Sequence, residues 1–310
     1  MRILVTGATG FVGAALCPAL LVRGHTVRAM TRTARAVEPG QLQWVAVPDI
    51  AEEFNWRRVL DGIDVVVHLA AIAHRAGSEA QIRRVNVEAT RRLAEAAAGS
   101  VRRFIFLSSV KVHGEDSGAG LYSEVDSLRP EDPYGRSKLE AERELTDIAA
   151  RSGMELVVIR PPLAYGPRVK ANFLRLLGWV DSGIPLPFAR VRNRRSLIYL
   201  GNLVDAITRC MEHPAASGPF LVSDEERVST PELVSRVARA LERPTRLVPA
   251  PLAFLRLAGT IAGRRGEIER LTGNLAIDPS RVSQLLDWQP PYSLDDGLAE
   301  TARWFRFQRG

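Results

Sequence analysis

A chain of 310 residues, 46% hydrophobic and 25% charged, has the makeup of a globular protein with ample length for a sizeable core. No run of about 18 apolar residues occurs, which excludes a helix crossing a bilayer. The net charge of +7 would suit nucleic acid, but the basic residues are scattered through predicted helices and all but three of the 42 are arginines, so solvated surface is expected and nucleic acid is not.

Residues 3–5 form a short aliphatic run, a buried strand by composition, that stops at Gly7, Gly10 and Gly13 and restarts as an apolar-periodic helix through Ala15, Leu16, Ala19 and Leu20. A strand that ends at glycines and resumes as a helix leaves unpaired N–H groups aimed at one spot. The helix dipole adds positive charge there, which suits a pyrophosphate. Gly7 permits the tight turn, Gly10 lets the backbone approach the phosphates, and Gly13 allows close helix packing. With the strand before it and the helix after it, the triplet predicts dinucleotide binding. Met1 and Arg2 lead straight into the strand, so no signal peptide is expected and the cytoplasm is the expected compartment. Cys17 and Cys210 lie far apart on predicted helices, and neither a disulfide nor a metal site is expected.

Further strands are predicted at 26–32, at 42–47 before Asp49-Ile50, at 65–69 before Ala70-Ala71, at 104–107 before Ser108-Ser109, and at 156–159. Helices are predicted at 79–98 and from Tyr134 to about 150. Continuous apolar strands alternating with helices predict an α/β fold, a doubly wound parallel sheet with its ligands at the carboxyl ends of the strands. After Pro161-Pro162 the rhythm changes to helices and loops, with helices at 171–182, 203–213, 231–242, 252–262, 279–286 and 293–307. Thr230-Pro231 is a helix start, and Ser293-x-x-Asp296 has capping-box spacing. Residues 1–165, with parts of 195–225 returning to them, are expected to hold the dinucleotide, and 166–310 to form a smaller, mainly helical substrate domain.

Tyr134 and Lys138 form a Tyr-x-x-x-Lys on one helix face. A phenol with a pKa near 10 is a poor acid–base group at neutral pH. A neighbouring ammonium favours the phenolate and is expected to draw that value down. Ser109, at a strand end, is placed to hydrogen-bond a substrate oxygen. The second strand ends Met30-Thr31-Arg32 without a carboxylate and with Arg35 nearby, where enzymes using NAD usually carry an acid. NADP(H) is therefore the expected cofactor, with NAD(H) as the alternative. Lysine survives only at 111, 138 and 170, so Lys111 and Lys170 are expected to line the substrate pocket.

The motifs TGATGFVG, HLAA from His68, RVNVEAT around Asn86, SSVKVHG from Ser108, YGRSK, RPPLAYGP from Arg160, RSLIYLGNLVDA from Arg195 and the late DPSRVSQLLDWQP cover essentially the whole chain. They resemble the extended short-chain dehydrogenase/reductase family, the sugar-nucleotide epimerases and dehydratases, with its Rossmann-like fold. The resemblance implies Ser109, Tyr134 and Lys138 as the catalytic set. For the cofactor it implies Gly7, Thr9, Gly10, Phe11, Val12, Gly13, Thr31, Arg32, Asp49, Ile50, Leu69, Ala70, Ala71, Asn86 and Pro161, together with Tyr134 and Lys138. For the substrate it implies Arg195 on a diphosphate, with Lys111, Lys170, Asn172 and Arg270. A homodimer is implied by the same analogy.

The family's 4,6-dehydratases carry Asp-Glu directly after the catalytic hydroxyl, where this chain has Val110 and Lys111. The tyrosine of the family's V-Y-G is His113, and the asparagine of R-P-x-N-V-Y-G is Leu163. SSVKVHGE, YGPRVKANF and NRRSLIY look most like bacterial 4-reductases that act on a 4-keto-6-deoxy-N-acetylhexosamine for surface polysaccharide. Such a reductase is the first expectation, on a UDP- or lipid-diphosphate-linked sugar. A UDP-hexose 4-epimerase with retained NAD is the alternative, and a non-catalytic dinucleotide sensor the third reading. The stretch PAPLAFLRLAGTIAGRR, residues 249–265, reads either as a helix packed into the substrate domain or as an interfacial helix making weak peripheral contact with the inner membrane.

Overall fold

Strands β1 (Arg2–Thr6), β2 (Thr26–Thr31), β3 (Leu42–Ala46), β4 (Val65–His68), β5 (Arg103–Leu107) and β6 (Glu155–Arg160) lie in one parallel sheet in the order β3-β2-β1-β4-β5-β6. The computed structural model describes residues 1–33, 42–47, 49–52, 54–73, 77–261, 263 and 265–309. Alternate residues of each strand serve different layers, as the pleat requires. Ile3, Val5, Val65, Val67 and Ile105 pack with Leu16 and Leu20 of the helix Gly13–Val22 and with Leu203 and Ile207 of the helix Leu200–Glu212. Leu4, Val66, Phe104 and Phe106 pack on the other face with Leu93 and Ala97 of the helix Ala89–Ala97 and with Leu145 and Ile148 of the helix Pro133–Ser152. Both faces are covered, which is why these strands read as continuous apolar runs.

The strand order runs outward in opposite directions from β1 and β4, so a crevice opens between their carboxyl ends. Gly7, φ +65°, turns there so tightly that a Cβ on it would sit 2.9 Å from the backbone nitrogen of Ala70.

Four short strands went unread among the later helices. β7 (Leu163–Tyr165), β8 (Arg195–Tyr199) and β10 (Arg227–Val228) form a small sheet in the order β10-β8-β7, and β9 (Gly218–Leu221) extends the large sheet beside β6. Two to five residues are too few for an alternating pattern to register. A second core surrounds the small sheet, with Tyr165, Phe173, Leu177, Val237, Leu298 and Phe305. The helices Trp56–Leu60 and Arg265–Thr272 also escaped the periodicity. The helix at 79–98 is broken by a π segment, Arg84–Glu88, that carries Asn86. Ser293 and Asp296 form the expected capping box, whereas the cap expected at Thr230 falls one residue earlier, on Ser229 with Glu232. Among the described residues no helix is long and apolar enough to cross a membrane.

A Cβ on Gly13 would lie 2.4 Å from the carbonyl oxygen of Gly7 and 2.7 Å from the Cα of Ala8, both backbone atoms with no room to yield. Gly13→Ala is expected to destabilise the fold by about 1–3 kcal/mol, as overpacking does. Denaturant titration against the wild type checks this, and an unchanged midpoint would show that the turn gives way.

Candidate active site

Beyond the sheet pairing of Thr6 with His68, one hydroxyl ties the end of β1 to the loop that follows β4. Thr6 Oγ1 accepts from the backbone nitrogens of Leu69 and Ala70, 3.1 Å each, and its own hydrogen is left for His68 Nδ1 at 2.8 Å. His68 Nε2 then carries the ring proton and donates to Thr90 Oγ1 at 2.8 Å, and Thr90 donates to the carbonyl of Asn86 at 2.8 Å. Burial, with Lys138 nearby, lowers the pKa of His68 to about 3, so the ring is a neutral link in this chain. Asn86 continues it. Its amide nitrogen donates to Ile72 O and Ser137 Oγ, 3.0 Å each, and its oxygen accepts from Ile72 N at 2.8 Å. Both of its donor hydrogens are thus used within the protein, and Asn86 fixes the loop after β4 against the Tyr134 helix.

Around the crevice stand the residues proposed from the sequence for a dinucleotide. Gly7 to Gly13, with Thr9, Phe11 and Val12, form the turn after β1, Thr31 ends β2 and Arg32 follows it. Leu69 to Ala71 follow β4, and Pro161 follows β6, its carbonyl accepting from Val110 N at 2.9 Å. Asp49 is exposed beside Ile50 and turns its carboxylate onto Ala51 N at 2.8 Å. Arg35 lies outside the described residues. Side chains would fill the space left at Gly7, so the turn fits a group that approaches the backbone closely, as a pyrophosphate does.

Tyr134 opens the helix Pro133–Ser152, which starts there because Asp132 caps it, Oδ1 accepting from Gly135 N at 2.7 Å, ahead of a proline in the first turn. One turn on, Lys138 is 2% exposed and donates Nζ to the Leu107 carbonyl at 2.7 Å, 4.4 Å from the Phe106 ring centroid and 5.9 Å from that of Tyr134. Burial lowers the pKa of Lys138 to about 7, against the opposing pull of Glu142. The sequence argument expects this cation to depress the phenol's pKa. Instead burial, with the Asp132 carboxylate, raises it. Ser109 lies just past β5 and caps the short 3-10 turn Val110–Val112.

Behind this edge lies a buried ion pair that the motif reading missed. Glu142, one helical turn past Lys138, receives Arg160 through Nη2 at 2.6 Å and Nε at 3.1 Å, and also the hydroxyl of Ser108. Arg160 Nη1 donates to His113 Nε2 at 3.1 Å, so the proton of His113 sits on Nδ1, a buried donor with no partner. Burial, with Arg160, lowers His113 to about 4.

A second group gathers around Glu115, another residue not singled out from sequence. Lys111 Nζ reaches Glu115 Oε1 at 2.6 Å and Asp132 Oδ2 at 2.5 Å, and Arg270 Nη1 lies 3.9 Å from Glu115 Oε2. Arg195 Nη1 donates to the carbonyls of Arg270 at 2.5 Å and Gly273 at 3.2 Å. Burial lowers Arg195 to about 10, Glu115 opposing, so it stays cationic at neutral pH. Arg270 Nε is buried without a partner. Lys111, Arg195 and Arg270 therefore meet, with Lys111 committed to two carboxylates. Lys170 and Asn172 are not in this cluster. Lys170 is exposed at the start of the helix Ala171–Asp181, and Asn172 accepts from Arg175 at 2.5 Å. The loop leading there holds Arg168 at φ 70° and Ala171 at φ 53°, a strained backbone of the kind that collects at ligand sites.

Residues 3–222 match the NAD dependent epimerase/dehydratase family. The chain belongs to this family. It is 44% identical to a UDP-glucose 4-epimerase of Vibrio cholerae over 98% of the chain and 95% of that protein. It is 27% identical to the N-acetyl-alpha-D-glucosaminyl-diphospho-ditrans,octacis-undecaprenol 4-epimerase of Escherichia coli O157:H7, covering 98% and 95%. Among solved structures, the UDP-glucuronic acid 4-epimerase of Bacillus cereus in complex with NAD superposes with a TM-score of 0.83 at 23% identity, each chain covered in full. Membership makes this an NAD-dependent enzyme of the epimerase/dehydratase type. The preference for NADP read from Arg32 gains no support from family or fold relative.

Lys138 offers a test of the site's electrostatics. Its pKa in the folded protein, about 7, lies below the ordinary 10.5, so the unfolded chain binds more protons between those values and folding stability from this group rises with pH there. Set against a Lys138→Met variant, the wild type is expected to gain up to about 1.4 kcal/mol per pH unit from pH 7 to 9. Parallel urea titrations at each pH measure it, and a constant difference would mean that the amine is not desolvated.

Proposed function

We propose that the protein is a 4-epimerase of a hexose carried on a nucleotide diphosphate, working with NAD. The observation that carries this reading is the 44% identity, along nearly the whole chain, to a UDP-glucose 4-epimerase. The Ser109, Tyr134 and Lys138 arrangement at the carboxyl edge of the sheet agrees with it. Residues 1–165, with β9, hold the cofactor in this reading, and 166–310 mainly the sugar nucleotide.

As the phenolate, a form that a positive charge arriving beside it would favour, Tyr134 takes the proton of the C4 hydroxyl and returns it after the ring has presented its other face. Ser109 holds the same oxygen by a hydrogen bond, which keeps it within reach of the phenol in both halves. Bound NAD supplies the hydride acceptor and donor, and its positive charge when oxidised. Lys138, titrating near neutrality, adjusts the charge beside Tyr134 without the desolvation cost of a permanent cation. Arg195 and Arg270 face the diphosphate, the orphan Nε of Arg270 being a donor that still needs an acceptor.

Net reduction of a 4-keto-6-deoxy-N-acetylhexosamine, on UDP or a lipid diphosphate, is the second reading. It rests on the SSVKVHGE, YGPRVKANF and NRRSLIY segments and uses the same residues.

Interconversion of UDP-glucose and UDP-galactose without added reductant is the expected activity. Tyr134→Phe is expected to lower kcat by roughly 10²- to 10⁴-fold while NAD binding, measured by calorimetry, stays near wild type. Stoichiometric consumption of reduced cofactor on a UDP-4-keto sugar, with no epimerisation, would replace the first reading by the second. Tighter binding of NADPH than NADH would restore the role first assigned to Arg32.

A further inference from the structure

The helix Leu252–Ile261 carries an apolar stripe that no described part of the chain covers. Leu255 anchors it, 3% exposed in the second core, whereas Phe254, Leu257 and Ile261 are 62%, 60% and 79% exposed. These three fall at i, i+3 and i+7, one helix face, and Val248 and Leu252 add exposed apolar surface at its beginning. Single exposed apolar side chains need no explanation, but a stripe of them on one helix does.

The segment that carries the stripe has charge of one sign, and Glu267 and Glu269 follow only on the next helix. Between Arg243 and Gly266 the chain has Arg243, Arg246, Arg256, Arg264 and Arg265 and no acidic residue. Arg243 reaches Asp181 at 3.0 Å and Arg265 reaches Glu269 at 2.7 Å, while Arg256, exposed, has no acidic partner among the described residues. A second copy docked isologously on this face would set arginine against arginine. A surface apolar inside and negative outside matches it.

We propose that this helix rests in the interface of an anionic phospholipid bilayer, with Phe254, Leu257 and Ile261 in the acyl boundary and the arginines on the headgroups. It packs against the helix Arg265–Thr272, which carries Arg270, so the bilayer would lie next to the cation cluster. The inference goes beyond the epimerase reading and does not depend on it.

Flotation of the full chain with phosphatidylglycerol/phosphatidylcholine vesicles tests it, with pure phosphatidylcholine alongside. Binding to the anionic vesicles is expected at low salt, with a fall of roughly tenfold or more near 1 M salt, where the Debye length is about 3 Å. The variant Phe254→Ser/Leu257→Ser/Ile261→Ser alters only exposed side chains, so its circular dichroism should match the wild type. It keeps every charge, so a loss of flotation in this variant reports apolar insertion. Equal flotation of variant and wild type would reduce the contact to general basicity and overturn the proposal. No flotation of the wild type would do the same, as would a wild-type dimer in sedimentation that the variant converts to monomer. No substrate is present, so any of these failures leaves the epimerase reading standing.

Discussion

The buried pair of Glu142 and Arg160 holds the active edge together. Glu142 rides on the helix of Tyr134 and Lys138, Arg160 ends β6, Ser108 ends β5, and His113 closes the turn that begins at Ser109. Ser108 and Arg160 thus meet the Glu142 carboxylate directly, and His113 joins them through Arg160. Both ions are about 5% exposed, so neither is stable there alone, and removing either partner from such a pair typically costs about 3–5 kcal/mol. The pair touches neither Ser109 nor Tyr134, but it ties the end of β5 and the end of β6 to the helix that carries Tyr134. The Thr6–His68–Thr90–Asn86 chain does the equivalent work on the cofactor side, joining β1, β4 and the π segment to the same helix through Ser137.

Low polarity sets the chemistry at that edge. Lys138 has an aromatic ring on one side and a single carbonyl as acceptor, and the helix gives it Glu142 one turn away. The same burial that weakens the ammonium raises the phenol, so proton affinity at Tyr134 is high until another positive charge arrives beside it. This differs from the simple picture of a lysine permanently lowering a tyrosine's pKa, and it follows from how completely Phe106 and Leu107 enclose the amine.

The parallel sheet was legible because the interiors of β1, β4, β5 and β6 are apolar runs, and the glycine turn because Gly7, Gly10 and Gly13 sit between a strand and a helix, where a Cβ on Gly7 or Gly13 would meet backbone atoms. Tyr134 and Lys138 were singled out by their helical spacing together with the glycine turn upstream and the Ser108-Ser109 strand end, and both lie on one helix. β7 and β10 were not, since three and two residues carry no periodicity. Nor were Glu115, Glu142 and Arg160 legible as site residues. Their partners lie up to 155 residues away, as with Glu115 and Arg270, and a lone acid in an arginine-rich chain looks like solvated surface. Asp132 had a local signal, an acid before Pro133 at a helix start, that the reading passed over in favour of the tyrosine after it. Lys170 stands apart. The rarity of lysine drew attention to it, yet the structure leaves it exposed and apart from the cluster that Lys111 joins.

Lys111 carries the sharpest consequence for reaction type. Dehydratases of the resembled family have carboxylates at this position and its neighbour, and eliminating water needs such groups to move a second proton. Here the side chain is a cation neutralised by Glu115 and Asp132, and its neighbour Val110 is 2% exposed in the core. Those two carboxylates are themselves occupied, and the pairing with Lys111 and Gly135 N outweighs burial to hold Asp132 below its ordinary pKa. A carboxylate so held is a poor proton acceptor. With Tyr134 as the proposed proton carrier, transfer at one carbon followed by its reversal needs no further carboxylate, whereas elimination finds none at these two positions.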